Sequence, residues 1–158
     1  MTYSARLTEL GITLPELAAP VGSYVPTART GDLLFTSGQL PFVDGSLLRT
    51  GRVGAEVSAE DAQADARQCA LNALAAVHAE VGIDNVVRVV KIVGFVASAA
   101  GFTGQPGVIN GASNLLGEVF GEAGKHARSA VGVAELPLGA SVEVELIVQV
   151  QQAGEPAP

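Results

Sequence analysis

The stretch Val86-Val87-Arg88-Val89-Val90-Lys91-Ile92-Val93-Gly94-Phe95-Val96-Ala97-Ser98 decides the fold. Seven of its thirteen residues are Val or Ile, whose branched Cβ favours extended backbone, and the pattern is too interrupted for a helix. It reads as one long β-strand. Alternate side chains point to opposite sides, so Val87, Val89, Val93 and Phe95 share one face and Val90, Ile92 and Val96 the other. A strand that is apolar on both faces is covered on both. Gly94 reads as a bulge.

The neighbouring segments supply one cover. Upstream, Ser58 is a good N-cap with Asp61 three residues on, and Ala66, Cys69, Ala73, Val77 and Val81 recur at helical steps before Gly82 stops the run. Downstream, a glycine-rich loop from Gly101 to Gly107 leads to a second helix over Val108–Phe120. Val108, Ala112, Leu115 and Val119 lie on one face of it, and Gly121 and Gly124 close it. Ser129–Ala134 is a strand, Leu136-Pro137-Leu138-Gly139 a turn, and Ser141–Val150 a strand with Val142, Val144, Leu146, Val148 and Val150 on one face. Earlier in the chain, Leu33–Gly38 forms a short strand. Pro41–Gly54 reads as loops with one short strand near Leu47 and Leu48. Residues 1–20, with Pro15 and Pro20, hold no more than a short helical turn, and residues 151–158 read as a flexible tail.

The expectation is one α+β domain over residues 1–158, with one mixed sheet and two helices on one face. Two helices cannot also cover the second face. That face is expected to pack against other copies of the chain, in an obligate homo-oligomer.

Composition agrees. The chain has 158 residues, 48% hydrophobic and only 16% charged, against about 25% charged in ordinary soluble domains. So little polar surface hints that a partner covers part of it. The formal net charge of −7 argues against nucleic-acid backbones and anionic membranes as partners. The lone Cys69 cannot form an internal disulfide, no leader or transmembrane stretch is visible, and the cytoplasm is the default location.

The residues best suited to chemistry lie in His126-Ala127-Arg128-Ser129-Ala130-Val131-Gly132-Val133-Ala134-Glu135-Leu136-Pro137 and Ser141-Val142-Glu143-Val144-Glu145. Arg128 stands at the mouth of a strand, and its planar fork suits a carboxylate. Glu143 lies on the face away from Val142 and Val144. If an oligomer covers that face, burial raises its pKa, as suits a group that holds and activates water. A structural ion pair of Arg128 with Glu143 or Glu145 at a subunit contact is the competing reading. His126 is either a second proton donor or a loop histidine bonded to a backbone carbonyl. His78 is read as surface, Cys69 as a small core hydrophobe, and Glu118 and Glu122 as a solvated face. Two distant histidines and one cysteine offer no metal-ligand spacing.

These segments, with Gly22-Ser23-Tyr24-Val25-Pro26, Phe35-Thr36-Ser37-Gly38-Gln39-Leu40-Pro41 and Asn72, resemble the Rid family of reactive intermediate deaminases, also called the YjgF family. The resemblance runs from about Tyr24 to Val150, and the pairing of its two halves is what makes it specific. It implies a chorismate-mutase-like fold and a homotrimer with sheets facing inward. It also implies clefts between subunits, where small enamine or imine carboxylates are hydrolysed to 2-keto acids and ammonia without metal or organic cofactor. In that resemblance Arg128 clamps the substrate carboxylate, Glu143 positions water, Tyr24 lines the cleft, Gly38 offers its backbone, and Asn110 is a further cleft residue. Ala130 stands where the compact deaminases carry a cysteine. Residues 1–20 and the glycine-rich approach to Arg128 mark a longer branch. A non-catalytic carboxylate-binding or metabolite-sensing trimer is the alternative. Ribonuclease or translation-inhibitor activity, labels that also travel with the family, fits the charge less well.

Overall fold

A computed structural model describes residues 1–17, 19–20 and 22–152. The long strand lies inside the sheet, next to its edge. It is β5 (Val86–Ala97), and the other strands are β1 (Thr27–Thr30), β2 (Leu33–Thr36), β6 (Ala127–Val133) and β7 (Val142–Val150). They form one five-stranded sheet in the order β1-β2-β7-β5-β6. β5 and β6 run parallel and the other neighbours antiparallel, so the sheet is mixed. A separate two-stranded hairpin, β3 (Phe42–Val43) and β4 (Ser46–Leu47), turns at Asp44 and Gly45, both at positive φ.

Among the described residues three α-helices complete the α+β fold: α1 (Tyr3–Glu9), α2 (Ala59–Val81) and α3 (Gln105–Phe120). α2 begins where the capping signal put it, with the Ser58 side chain accepting from the Asp61 amide. α2 and α3 cover one sheet face and bury Leu34, Val89, Ile92, Val96, Val142, Val144, Leu146, Val148 and Val150. They approach each other closely: a Cβ on Gly111 would sit 2.0 Å from the Gln63 carbonyl oxygen. Asp65 is fully buried under this layer. It accepts from the Ser141 hydroxyl at 2.5 Å and pairs with Arg49 at 2.7 Å, tying α2 to the start of β7 and to the loop after β4. Cys69 is buried, and burial pushes its thiol pKa well up, in keeping with a packing role. Among the described residues no helix is long and apolar enough to cross a membrane.

Several sequence expectations need correction. Residues 3–9 form a true helix. Thr2 caps it, and Tyr3 packs edge-on against Phe120 at 4.7 Å, so a third helix joins the expected two. β1 was not anticipated; its TART sequence is polar, and its residues are mostly exposed at the sheet edge. The Pro41–Gly54 segment holds a hairpin of two strands, not one strand. α3 starts at Gln105, inside the expected loop, with Pro106 in its first turn where a missing N–H costs nothing.

The face assignment of β5 also changes. Its register to β7 slips between Val86 and Arg88 and again between Val89 and Lys91. Val89 therefore joins Ile92 and Val96 under the helices, while Val93 and Phe95 stay on the open face. Gly94 is no bulge. It pairs in register with Val144 and Ala130, and a Cβ there would lie 2.3 Å from Ile109 Cδ1, so its smallness lets α3 close on the sheet. The terminal residues 153–158, read as part of a flexible tail, lie outside the described residues.

Candidate functional site

The sheet places Arg128 and Glu143 on opposite faces. Across β6, β5 and β7, Arg128 is level with Ile92 and Leu146, both buried under the helices. Glu143 is level with Phe95, on the uncovered face. The two levels are three residues apart along β5, about 10 Å at the usual strand rise.

Arg128 sits on the edge strand β6 and reaches across to α3. Its Nη1 donates to Asn110 Oδ1 at 2.7 Å and to Ser113 Oγ at 3.2 Å. No carboxylate among the described residues pairs with it, so the intrachain ion pair is absent. Both acceptors are neutral, and the guanidinium keeps its charge available for an anion. His126 bonds to the Gly124 carbonyl at 2.6 Å, as the loop-histidine reading has it. Its other ring nitrogen lies 2.9 Å from Ser113 Oγ. Ala130, half-buried, follows Arg128 on the same side of β6. Asn110, Ser113, His126 and Arg128 thus form one cluster, with Ala130 two residues further along the same side of β6. Ser113 was missed from sequence. Its signal is the three-residue step from Asn110, which puts both on one side of a helix.

Glu143 has different company. It is half-buried, and burial with the neighbouring Glu145 on the same face raises its pKa. Gly38 lies directly beneath its carboxyl. A Cβ on Gly38 would sit 2.8 Å from Glu143 Cδ. Gln39, next in chain, exchanges both backbone bonds with Val144 at 2.8 and 3.0 Å, which fixes Gly38 beside the glutamate. From the other side, Asn72 Nδ2 donates to the Leu40 and Phe42 carbonyls and holds the loop to α2. Tyr24 folds over Gly22 and is 48% exposed; its segment touches this loop through the Ser37 hydroxyl, which donates to the Val25 carbonyl. The structure does not bring Tyr24 to Arg128.

Gly38→Ala is therefore expected to leave the fold intact, because the obstructing group is the far end of a flexible side chain. It should displace the Glu143 carboxyl. Thermal melts and a crystal structure of the variant check this, and an unmoved Glu143 carboxyl would separate Gly38 from the site.

The remaining titratable residues behave as surface or core. Glu118 pairs with Arg67 and Glu122 with Lys125. His78 Nδ1 accepts from the Ile83 amide at the end of α2. Among the described residues no three His, Cys, Asp or Glu side chains gather as metal ligands.

The match to known proteins spans this whole arrangement. Residues 4–150 match the family model described as "YjgF/chorismate_mutase-like, putative endoribonuclease". The chain belongs to the YjgF family. Within this family it is similar to Protein TCP17 of Trypanosoma cruzi, at 49% identity over 148 residues, covering 92% of each chain. It is similar to the crystal structure of protein Atu1372 from Agrobacterium tumefaciens, at 48% identity and TM-score 0.87, covering 94% of this chain and 92% of that one. It is also similar to a structure from Shewanella oneidensis MR-1 that carries the words "putative endoribonuclease". There the identity is 34% and the TM-score 0.91, over 95% of this chain and all of that one. The family match over residues 4–150 includes the glycine-rich approach to Arg128.

Proposed function

We propose that this YjgF-family chain hydrolyses small enamine or imine carboxylates to 2-keto acids and ammonia, in clefts that two copies of the chain build together. The observation that carries the reading is the guanidinium of Arg128, held by two neutral oxygens and matched by no carboxylate among the described residues. A second observation supports the sharing of the site. Arg128 and Glu143 stand on opposite faces of one sheet, so the pair can meet one ligand only if a second copy supplies one of them. The open face also has the character of an interface: Phe35 and Val131 are 38% and 44% exposed, and Val93, Phe95 and Ile147 are half-buried beside them. A homotrimer with the sheets inward would cover it.

In this reading the Arg128 fork takes the carboxylate and fixes the imine carbon. Glu143 of the adjoining copy, ionised, accepts a proton from water as the oxygen adds to that carbon. Glu143 passes that proton to the nitrogen and then takes the proton of the new hydroxyl as the C–N bond breaks, so that ammonia and the 2-keto acid leave. The protonated imine is already electrophilic, so an anchor, an oriented water and a proton carrier are sufficient. Glu143's raised pKa brings its proton affinity nearer that task.

Ala130, in place of the thiol of the compact relatives, favours a second reading: a trimer that binds a small carboxylate without turning it over. The test generates 2-aminoacrylate or 2-iminobutyrate in situ and follows keto-acid release. Acceleration over buffer supports the hydrolase. No acceleration, with saturable binding of 2-oxobutyrate, supports the binder, and binding of RNA instead would overturn both.

A further inference from the structure

We propose that Ser113 and His126 are positioning residues that aim the Arg128 guanidinium; the inference rests on the reading of Arg128 as the carboxylate anchor. The bond directions follow from the atoms. The Gly124 carbonyl can only accept, so His126 Nδ1, 2.6 Å away, carries the proton. In the neutral ring Nε2 is then a bare acceptor, and the Ser113 hydroxyl donates to it across 2.9 Å. A hydroxyl has one proton. With that proton committed to the imidazole, the Oγ lone pairs are free to accept from Arg128 Nη1 at 3.2 Å. The relay runs one way: Arg128 to Ser113, Ser113 to His126, His126 to Gly124.

Each end of the relay is fixed by something other than the relay. A Cβ at Gly124 would lie 2.3 Å from the Leu116 carbonyl oxygen, so only glycine lets this backbone settle against α3 and present its own carbonyl to His126. Gly121, at φ 58°, ends α3 and starts that descent. Without the imidazole, a serine in mid-helix turns its hydroxyl to the carbonyl four residues back, here Ile109. Arg128 would then be steered by Asn110 alone, an exposed side chain. The glycine-rich approach to Arg128 and His126 thus have one shared purpose.

The test reads the guanidinium and the ligand separately. In 15N-labelled protein, the Arg128 Nη signals are expected to show restricted rotation that is lost in Ser113→Ala and His126→Phe and kept in Ser113→Thr. By calorimetry, 2-oxobutyrate should bind Ser113→Ala about 10-fold more weakly than wild type, with affinity restored in Ser113→Thr. The uncharged 2-oxobutanamide should bind all of them alike. Unchanged Arg128 signals and affinity in Ser113→Ala overturn the proposal, as does equal loss of both ligands. Arg128 signals that respond to Ser113→Ala in a protein binding neither ligand support the aiming and refute the carboxylate reading alone.

Discussion

Arg128→Ala is expected to weaken binding of 2-oxobutyrate by about 100-fold or more while the protein stays folded and assembled. The size of the effect follows from what the residue lacks. A guanidinium already paired to a carboxylate would lose little ligand affinity on removal and would leave a buried anion behind. Here Arg128 is held by Asn110 and Ser113, both neutral, so its charge is committed to no carboxylate among the described residues. Calorimetry and light scattering on the same sample decide the matter. Dissociation into single chains would instead make Arg128 a subunit tie, and the ion-pair reading would stand.

Glu143→Gln is expected to do the opposite: binding of 2-oxobutyrate within a few-fold of wild type, and keto-acid release lower by about 100-fold. The amide keeps the shape and loses the proton-accepting oxygen. The raised pKa of Glu143, from burial first and Glu145 second, gives two pH signatures. The acid limb of the rate profile should lie above the ordinary glutamate range, since the ionised form does the work. The stability effect has the other sign. The folded state holds the Glu143 proton more tightly than the unfolded chain, so its contribution is present at low pH and is lost as pH rises through the folded pKa. At pH 7 the half-buried ionised carboxylate is a cost, and Glu143→Gln should raise Tm at neutral pH, with the gain shrinking as the pH falls and the wild-type carboxyl takes up its proton. Unchanged turnover in this variant would remove Glu143 from the chemistry, and a lower Tm at neutral pH would contradict its desolvation.

The elements that pack under the helices were legible because burial imposes a period. Ser58, the Ala66-to-Val77 stripe and Gly82 gave α2 to the residue, and the alternation of Val142 to Val150 gave β7. β1 and β3 escaped because exposed or two-residue strands leave no periodic record, while the short strand expected near Leu47 and Leu48 is β4. The faces of β5 were partly misjudged because a strict two-residue period cannot anticipate register slips, which depend on how β7 lies alongside. Glycines were the hardest to interpret. Gly94 and Gly38 are both explained by a side chain far away in sequence, Ile109 and Glu143, that needs the space. The site was legible as residue types and not as a constellation. Sequence singled out Arg128 and Glu143, and only the sheet register puts them on opposite faces. Ser113 was missed because its three-residue step from Asn110 means nothing until Arg128 and His126 are known to lie across the gap.

The central claim is that one ligand meets Arg128 of one copy and Glu143 of another. Mixing Arg128→Ala with Glu143→Gln tests it most directly, because each variant alone lacks half of every site. If copies share each site, refolding the two inactive proteins together in equal amounts should restore about a quarter of wild-type turnover, the share of sites at random that draw both intact residues. A mixture that stays as inactive as its components, with mixed assemblies demonstrated by mass spectrometry, would contradict it.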